Sequence, residues 1–514
     1  MMKKILALDL SVVMMLSLAA CGGNDANVVE TDLSKPITLN WVMPGPGIQK
    51  DAEMVWAKFN EELKKIEGFE NVTVNIEVIP MADYAQKIML MQTSGEKMDL
   101  IQTYQLNYAQ EYRNGTIMDM TPYLEKFAKE SLEELPQWVV DMGKVDGAQA
   151  ILPNYQKMVA APYFMTIPAD LAQYMDVDAV SKAALAEKDN NYLISDESLA
   201  LMEDYLSKVK DAGKIGKGYA GAWSARGTES IVSSFRYFYL EPEIKINHAH
   251  LDGQQVSIWR AKKYFFDKGY VRKDALSAKS ADFNGVKDGN VAWTSQNWTG
   301  KIERFDGDKT HDIDVVQIPT NDHFFVPYKP AAGGFAVPVN SEYPDIAVKL
   351  ANLMSTKKGI DLYNLMVYGI EGVHYTVDKE LADGDKVITP KDYPEEGNSS
   401  SAYGLAKWIV GNAKNAYITS NQPENFKEII YEQMNEGELT VVSPLMGFAA
   451  DTTSIDTKIS QIAAVAKEYG DPIGSGAVDT EALLKEMFTK YEQAGIQDVI
   501  AEIQRQVDEF VATK

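Results

Sequence analysis

From residue 37 onward, apolar and polar positions follow two periods. Residues 37–42, ITLNWV, form an apolar run closed by Pro44, Gly45, Pro46 and Gly47, which predicts a strand and a turn. Val55, Phe59, Leu63 and Ile66 then recur at helical spacing up to Gly68. Val72 to Val78 alternates apolar and polar residues, the pattern of a half-buried strand. A strand, a helix and a strand on this scale predict a βαβ unit of an α/β sheet. A second unit follows, with Tyr84, Ile88 and Met91 on a helix stopped by Gly95, then the apolar strand MDLIQTY. The stretch MVAAPYFMTIP (158–168) carries two prolines in an extended apolar run, which suits a strand leaving one domain for another. Residues 196–212 predict a helix, and FRYFYL, VSIWRAKKYFFDKGY and GNVAWTSQNW predict further aromatic-rich strands and helices. AAGGFAVPVN (331–340) predicts a strand, and Pro344 suits the first position of the next helix.

The last 60 or so residues are helical in pattern. ISQIAAVAKEYG is expected to stop at Gly470, and a second helix to run from near Asp479 to Gly495. The third places Ile496, Val499, Ile500, Ile503, Val507 and Phe510 on one face. No internal repeat or low-complexity tract interrupts the chain.

The amino terminus has a different pattern. Lys3 and Lys4 precede a short apolar core, broken once by Asp9, that ends in small residues. This is the layout of a secretory signal peptide, too short for a spanning helix of about 20 apolar residues. Leu18-Ala19-Ala20-Cys21 resembles the bacterial lipobox. That resemblance implies cleavage of residues 1–20 and a diacylglycerol thioether on Cys21, against the alternative of an ordinary signal peptide with an incidental cysteine. A single acyl chain holds weakly, so stable anchoring takes two or more. Residues 21–36 are small and polar and predict a flexible tether.

Composition narrows the function classes. At 45% hydrophobic and 10% aromatic residues the chain is globular, with length for two or three domains. Cys21 is its one cysteine, so a mature chain has no structural disulfide and no catalytic thiol. A formal charge of −24 argues against nucleic acid and against acidic ligands held by general attraction. His248 and His250 in NHAH lack a nearby third metal ligand and read as surface residues; DGDKTHDID (306–314) lacks the glycine and terminal Glu of a calcium loop. No phosphate-loop spacing and no Gly-x-Ser-x-Gly elbow is present, so neither a metal nor an organic cofactor is expected.

QKIMLMQTSGEKMDLIQTYQLNYAQEYRNGTIMDMTPYLEKF resembles the amino-terminal lobe of ABC-transporter solute-binding proteins of the maltose-binding group. The matching positions are Ser94, Gly95, Glu96, Asp99, Gly115, Asp119, Met120 and Thr121. AAGGFAVPVNSEYPDIAVKLANLMSTKKGIDLYNLMVYGIEGVHY resembles the family's return segment, with Gly369-Ile370-Glu371-Gly372 as its turn. Residues from SPLMGFAAD to the end resemble the C-terminal module of an LplA-like lipoprotein subgroup, a module with no assigned role. The resemblance implies a type II periplasmic-binding-protein-like α/β fold: two doubly wound lobes joined by crossing strands, with a helical C-terminal segment. It places one lobe at 37–162 plus 328–368 and the other at 163–327 plus 369–450, with 451–514 packed on both. Crossings are expected near 160–168, 325–332 and 367–373.

It further implies a lipid-anchored receptor on the extracytoplasmic face of the cell membrane. Such a receptor closes over a small solute, here an oligosaccharide, and hands it unchanged to ABC permease subunits. It acts as a monomer, without chemistry. Sugar faces call for flat aromatic surfaces and a few polar groups, and in doubly wound folds ligands sit beyond the carboxyl ends of strands. The candidates are Trp41, Tyr104, Trp223, Trp293, Trp298, Tyr368 and Glu371; for each aromatic, core packing is the competing reading. A receptor for peptides and a secreted glycosidase with paired carboxylates are the alternative functions.

Overall fold

The computed structural model describes residues 28–160, 163–223, 227–278, 289–296, 302, 304–310, 313–330, 333–382, 384–391 and 402–514. Cys21 and Trp298 lie outside them.

The first lobe is built on a five-stranded sheet. Its order is Val72–Pro80, Ile37–Gly45, Leu100–Gln102, Gly334–Ala336 and Leu152–Pro153. The first three strands are parallel, as the predicted βαβ units require, with Ile37 opposite Val72 and Gly45 opposite Pro80. The return strand Gly334–Ala336 runs antiparallel and slots in beside Leu100–Gln102. Glycine is needed there because a Cβ on Gly334 would sit 2.3 Å from the Leu152 carbonyl oxygen. The Ile37–Gly45 strand is covered on both faces, so its side chains are buried almost without interruption. Trp41, a sequence candidate for ligand contact, is therefore a core residue. It has no exposed surface, and its ring lies 6.3 Å from Phe59 and 6.0 Å from Phe335.

The second lobe carries the sheet Phe305–Thr310, Ile313–Pro319, Tyr163–Pro168, Asn290–Gln296 and Gly218–Gly221, with its own core around Met165, Met202, Tyr205, Phe265 and Ile318. Helices Val177–Ala186, Asp196–Asp211 and Gln254–Asp267 cover it. A smaller antiparallel sheet, Thr228–Val232, Phe235–Phe238 and Asn247–His248, stands at the hinge side.

Three chain segments meet between the lobes. The Ala160 N–H donates to the Phe325 carbonyl at 2.8 Å, Phe324–Val326 pairs in parallel with Thr440–Val442, and the Ser443 N–H donates to the Val326 carbonyl. The third strand of the hinge is thus 440–443, running toward the first lobe like the return strand beside it, and the crossing expected at 367–373 is not made there. The assignment of 369–450 to the second lobe is corrected with it. Residues 402–416 are bonded to the first lobe: the Asp51 N–H donates to the Ala402 carbonyl, the Gly404 N–H to Gln49 Oε1 and the Ala413 N–H to the Tyr155 carbonyl. A hairpin, Tyr375–Glu380 with Lys386–Pro390, extends from the same side.

Two local expectations also change. Part of the segment read as a tether is docked: the Thr31 hydroxyl donates to Asp345 at 2.5 Å, and Val28 and Leu33 pack on the core. The first C-terminal helix, Asp456–Ser475, runs through Gly470 and Pro472. Its buried Tyr469 and Ile473 outweigh local penalties of about 1 kcal/mol for the glycine and about 3 for the proline. The other two helices, Thr480–Gln493 and Ile496–Ala512, begin and end as predicted, with Asp479 capping the Ala482 N–H and Gly495 left-handed.

Replacing Trp41 with Ala removes a ring that no neighbour can reach around. The expected loss is about 3–5 kcal/mol of stability, read by urea unfolding followed by circular dichroism.

Candidate functional site

In the first lobe the parallel strands point their carboxyl ends at one edge. Leu100–Gln102 runs out into Thr103, Tyr104 and Gln105, and Gln105 takes a left-handed backbone at φ 63. A non-glycine residue there costs energy and needs a surrounding structure that enforces it. The enforcing contact is the return segment. The Gly334 N–H donates to Thr103 Oγ1 at 3.0 Å, and the Thr103 N–H donates to the Gly334 carbonyl at 2.9 Å. Gly333, at φ 67, lets the chain approach so closely that a Cβ would stand 2.7 Å from the Tyr104 nitrogen.

The loop after Ala402 crosses this same edge. Two buried amides hold it. Gln102 Nε2 donates to the Ile409 carbonyl at 2.6 Å, and Asn154 Nδ2 donates to the carbonyls of Trp408 and Ile409, each at 3.0 Å. The half-buried Trp408 ring is thereby fixed edge-on to the half-buried Tyr104 ring, centroids 4.8 Å apart at 63°. The result is an aromatic corner whose backbone is pinned by fully buried hydrogen bonds. Trp408 was missing from the sequence candidates because it follows no strand; its signal is only an aromatic in a glycine-bounded loop, YGLAKWIVG.

In the second lobe Gly218–Gly221 and Asn290–Gln296 run parallel side by side, with Trp223 just past the end of the first and Trp293 in the middle of the second. They are 5% and 6% exposed, so each offers an edge at most: Trp223 stacks on Phe265 at 6.5 Å, and Trp293 packs with Val315. Beside them lies a small polar set, in which Gln317 Nε2 donates to Ser295 Oγ at 2.8 Å and Ser295 Oγ meets Thr166 Oγ1.

Tyr368 and Glu371 belong to neither group. Tyr368 is buried, its hydroxyl donating to the Tyr417 carbonyl at 2.9 Å and its ring stacked on Tyr417. Glu371 is exposed, 4.0 Å from Lys386. They were chosen as residues of a third crossing that the chain does not make there. Of His248 and His250, read as surface residues, the first is buried and the second half-buried, and both face the C-terminal helices. His250 Nδ1 lies 2.6 Å from the Tyr491 hydroxyl, and burial pushes the two histidines down to about 3 and about 4. Among the described residues no group of three or more His, Cys, Asp or Glu is placed to hold a metal ion, and no helix is long and apolar enough to cross a membrane.

The hinge has its own buried carboxylate. Glu229 accepts the Tyr328 N–H on one oxygen and the Tyr237 hydroxyl on the other, and Tyr237 also meets Ser443 Oγ at 2.9 Å. Burial raises Glu229 to about 7 despite these bonds, and lowers the neighbouring Lys329.

A family model described as bacterial extracellular solute-binding protein matches residues 55–415, and a domain of unknown function (DUF3502) matches residues 444–512. A carbohydrate ABC transporter substrate-binding protein of Streptococcus pneumoniae serotype 4 is 22% identical, over 97% of this chain and 96% of its own. Among solved structures, the N-glycan transport solute binding protein of Streptococcus pneumoniae has a TM-score of 0.72 at 19% identity, over 93% of this chain and 99% of that one. An extracellular solute-binding protein from Bifidobacterium longum subsp. infantis has 0.60 at 13%, with the same coverage. The S. pneumoniae substrate binding protein FusA, in complex with kestose, has 0.54 at 14%, over 93% of this chain and all of that one. At these identities the structural likeness is one of fold.

From about pH 4.5 to about 7 the folded chain keeps a proton on Glu229 that the unfolded chain has released. This contribution to stability is complete at low pH and is lost as pH rises through about 7. Glu229→Gln removes the titration. The melting temperature of the variant relative to wild type should therefore climb between about pH 5 and pH 8, measured by differential scanning calorimetry.

Proposed function

The chain belongs to the bacterial extracellular solute-binding protein family and has its type II periplasmic-binding-protein-like fold; from that premise we propose that it captures an oligosaccharide between its lobes and delivers it to an ABC importer. The observation that carries the sugar reading is the Tyr104–Trp408 corner at the carboxyl edge of the first sheet. Its faces are flat, apolar and rigidly set, and neutral amides, Gln102 and Asn154, back it in place of ionised groups. A pyranose or furanose ring presents an apolar face of matching size, with hydroxyls at its rim. The named ligands of the similar structures, kestose in one and N-glycan fragments in another, are of this class.

In this reading Trp223, Trp293 and the Ser295–Gln317 pair are the opposing lobe's contacts with the same ligand, as is Trp298, which lies outside the described residues. A ligand that touches both groups binds the closed arrangement better than the open one, and so shifts the population toward closure. In this reading the protein does no chemistry on its ligand. It is held to the membrane by lipid on Cys21, acts as a monomer, and meets permease subunits that couple transport to energy from other chains.

Calorimetry or thermal shift against Man5GlcNAc, kestose and short peptides tests the proposal. An oligosaccharide at about 100 times its dissociation constant should stabilise by about 2.7 kcal/mol. Stabilisation by peptides alone, or new reducing ends in the incubated sugar, would overturn it. With the sugar that binds, Tyr104→Ala and Trp408→Ala should each weaken affinity by about tenfold or more.

A further inference from the structure

The three C-terminal helices have no residue in either aromatic group of the cleft. What they touch is the hinge. On the second-lobe side the attachment is extensive. Gly474 packs against the Trp259 indole, where a Cβ would meet Nε1 at 3.2 Å, and Arg260 forms a two-pronged ion pair with Glu481 at 2.7 and 3.0 Å. Gln504 both accepts the Ile246 N–H and donates to the Ile244 carbonyl. Trp259 and Arg260 lie on Gln254–Asp267, whose other face is second-lobe core through Phe265. Helices and second lobe therefore move as one body.

On the first-lobe side the attachment is narrow. The chain leaves the third hinge strand at Ser443 and lies against the first lobe before the helices begin. There Arg113, at the end of helix Tyr108–Arg113, donates to the carbonyls of Ala449 and Ala450 at 2.7 and 3.0 Å. Asp146 holds the same guanidinium from behind, with contacts of 3.0 and 2.9 Å. Phe448, one residue earlier, lies between Tyr328 of the return crossing and Phe510 of the last helix. A body fastened broadly to one lobe is held to the other by this guanidinium, by Ala449 packed on a first-lobe apolar cluster and by Gly447 beside Asp141 and Lys144, and so spans the hinge beside the joining strands.

We propose that the C-terminal helical module is an intramolecular brace: it rides on the second lobe, and the Arg113 grip on Ala449 and Ala450 sets how far the lobes stand apart in the unliganded protein. A planar guanidinium bonded to two carbonyls and locked by a carboxylate fixes direction as well as distance, which an ammonium would not. Rotation of the lobes must then pivot at 443–450 or break the grip. This role is independent of which solute fills the cleft.

The test uses the full mature chain with Cys21 replaced by Ser and single cysteines introduced at the exposed Gln86 and Lys182, one on each lobe, for spin labels. Pulsed electron resonance gives the distribution of lobe separations without ligand. Arg113→Ala should make that distribution roughly twofold broader and move it to a different mean, with Arg113→Lys between it and wild type. Asp146→Ala, which keeps both carbonyl bonds but frees the guanidinium, should broaden it less, and it serves if Arg113→Ala fails to fold. Distributions that superimpose on wild type, in an Arg113→Ala or Asp146→Ala protein with native circular dichroism, would overturn the proposal.

Discussion

A chain that leaves one sheet to build another must find partners for its backbone N–H and C=O groups on the way, because a buried unpaired group costs free energy comparable to a lost hydrogen bond. Here the crossings partner one another. The outgoing strand meets the returning one at Ala160 and Phe325, and the returning strand meets the third at Phe324–Val326 and Thr440–Val442. Glu229 completes the arrangement by taking a backbone N–H from the return crossing and, through Tyr237, reaching Ser443 of the third. The two lobes are thus joined by a short ladder with the buried carboxyl group of Glu229 at its centre. Everything else depends on that joint: the position of the first-lobe return strand, the path of residues 402–416, and the point where the C-terminal helices attach.

The cleft follows the same logic at smaller scale. Aromatic side chains are useful to a ligand only when their own positions are already determined, since ordering them on binding would cost entropy. In the first lobe the ordering is done by groups that never touch solvent: Gln102 and Asn154 grip the backbone beneath Trp408, and Gly333 and Thr103 hold the loop that carries Tyr104. In the second lobe, burial of Trp223 and Trp293 against Phe265 and Val315 serves that purpose, and a smaller area is left to offer.

The alternating and helical periods made the parallel half of the first sheet, the second-lobe helix Asp196–Asp211 and the last two C-terminal helices legible, since each is stabilised by residues close in sequence. Strand ends also singled out Tyr104, which lies at the carboxyl edge of the first sheet, and Trp223 and Trp293, which lie on neighbouring strands of the second lobe. Trp41 also sits in a strand with that pattern, but whether such a strand is covered on one face or two depends on Phe335, which arrives from far along the chain. The third hinge strand was missed for a related reason. Thr440–Val442 is three residues long, and nothing in so short a run distinguishes a hinge strand from any other. Trp408 and the Glu229 network were not legible because both are made by segments meeting at long range. Gly470 read as a stop because local propensity says so; the burial of Ile473 that overrides it is a tertiary fact.

The insertion of one lobe into the other has a consequence for how the chain reaches this state. Thr103 and Gly334, which exchange hydrogen bonds at the edge of the first sheet, are 231 residues apart. The amino-terminal half of that sheet cannot close its core until the whole intervening lobe has emerged, because Trp41 lacks Phe335 until then. Contacts of such sequence separation make folding slow, and until they form the Leu100–Gln102 edge of the first sheet stays open. In a chain of an extracellular family, a first lobe that stays open this long suits export ahead of folding.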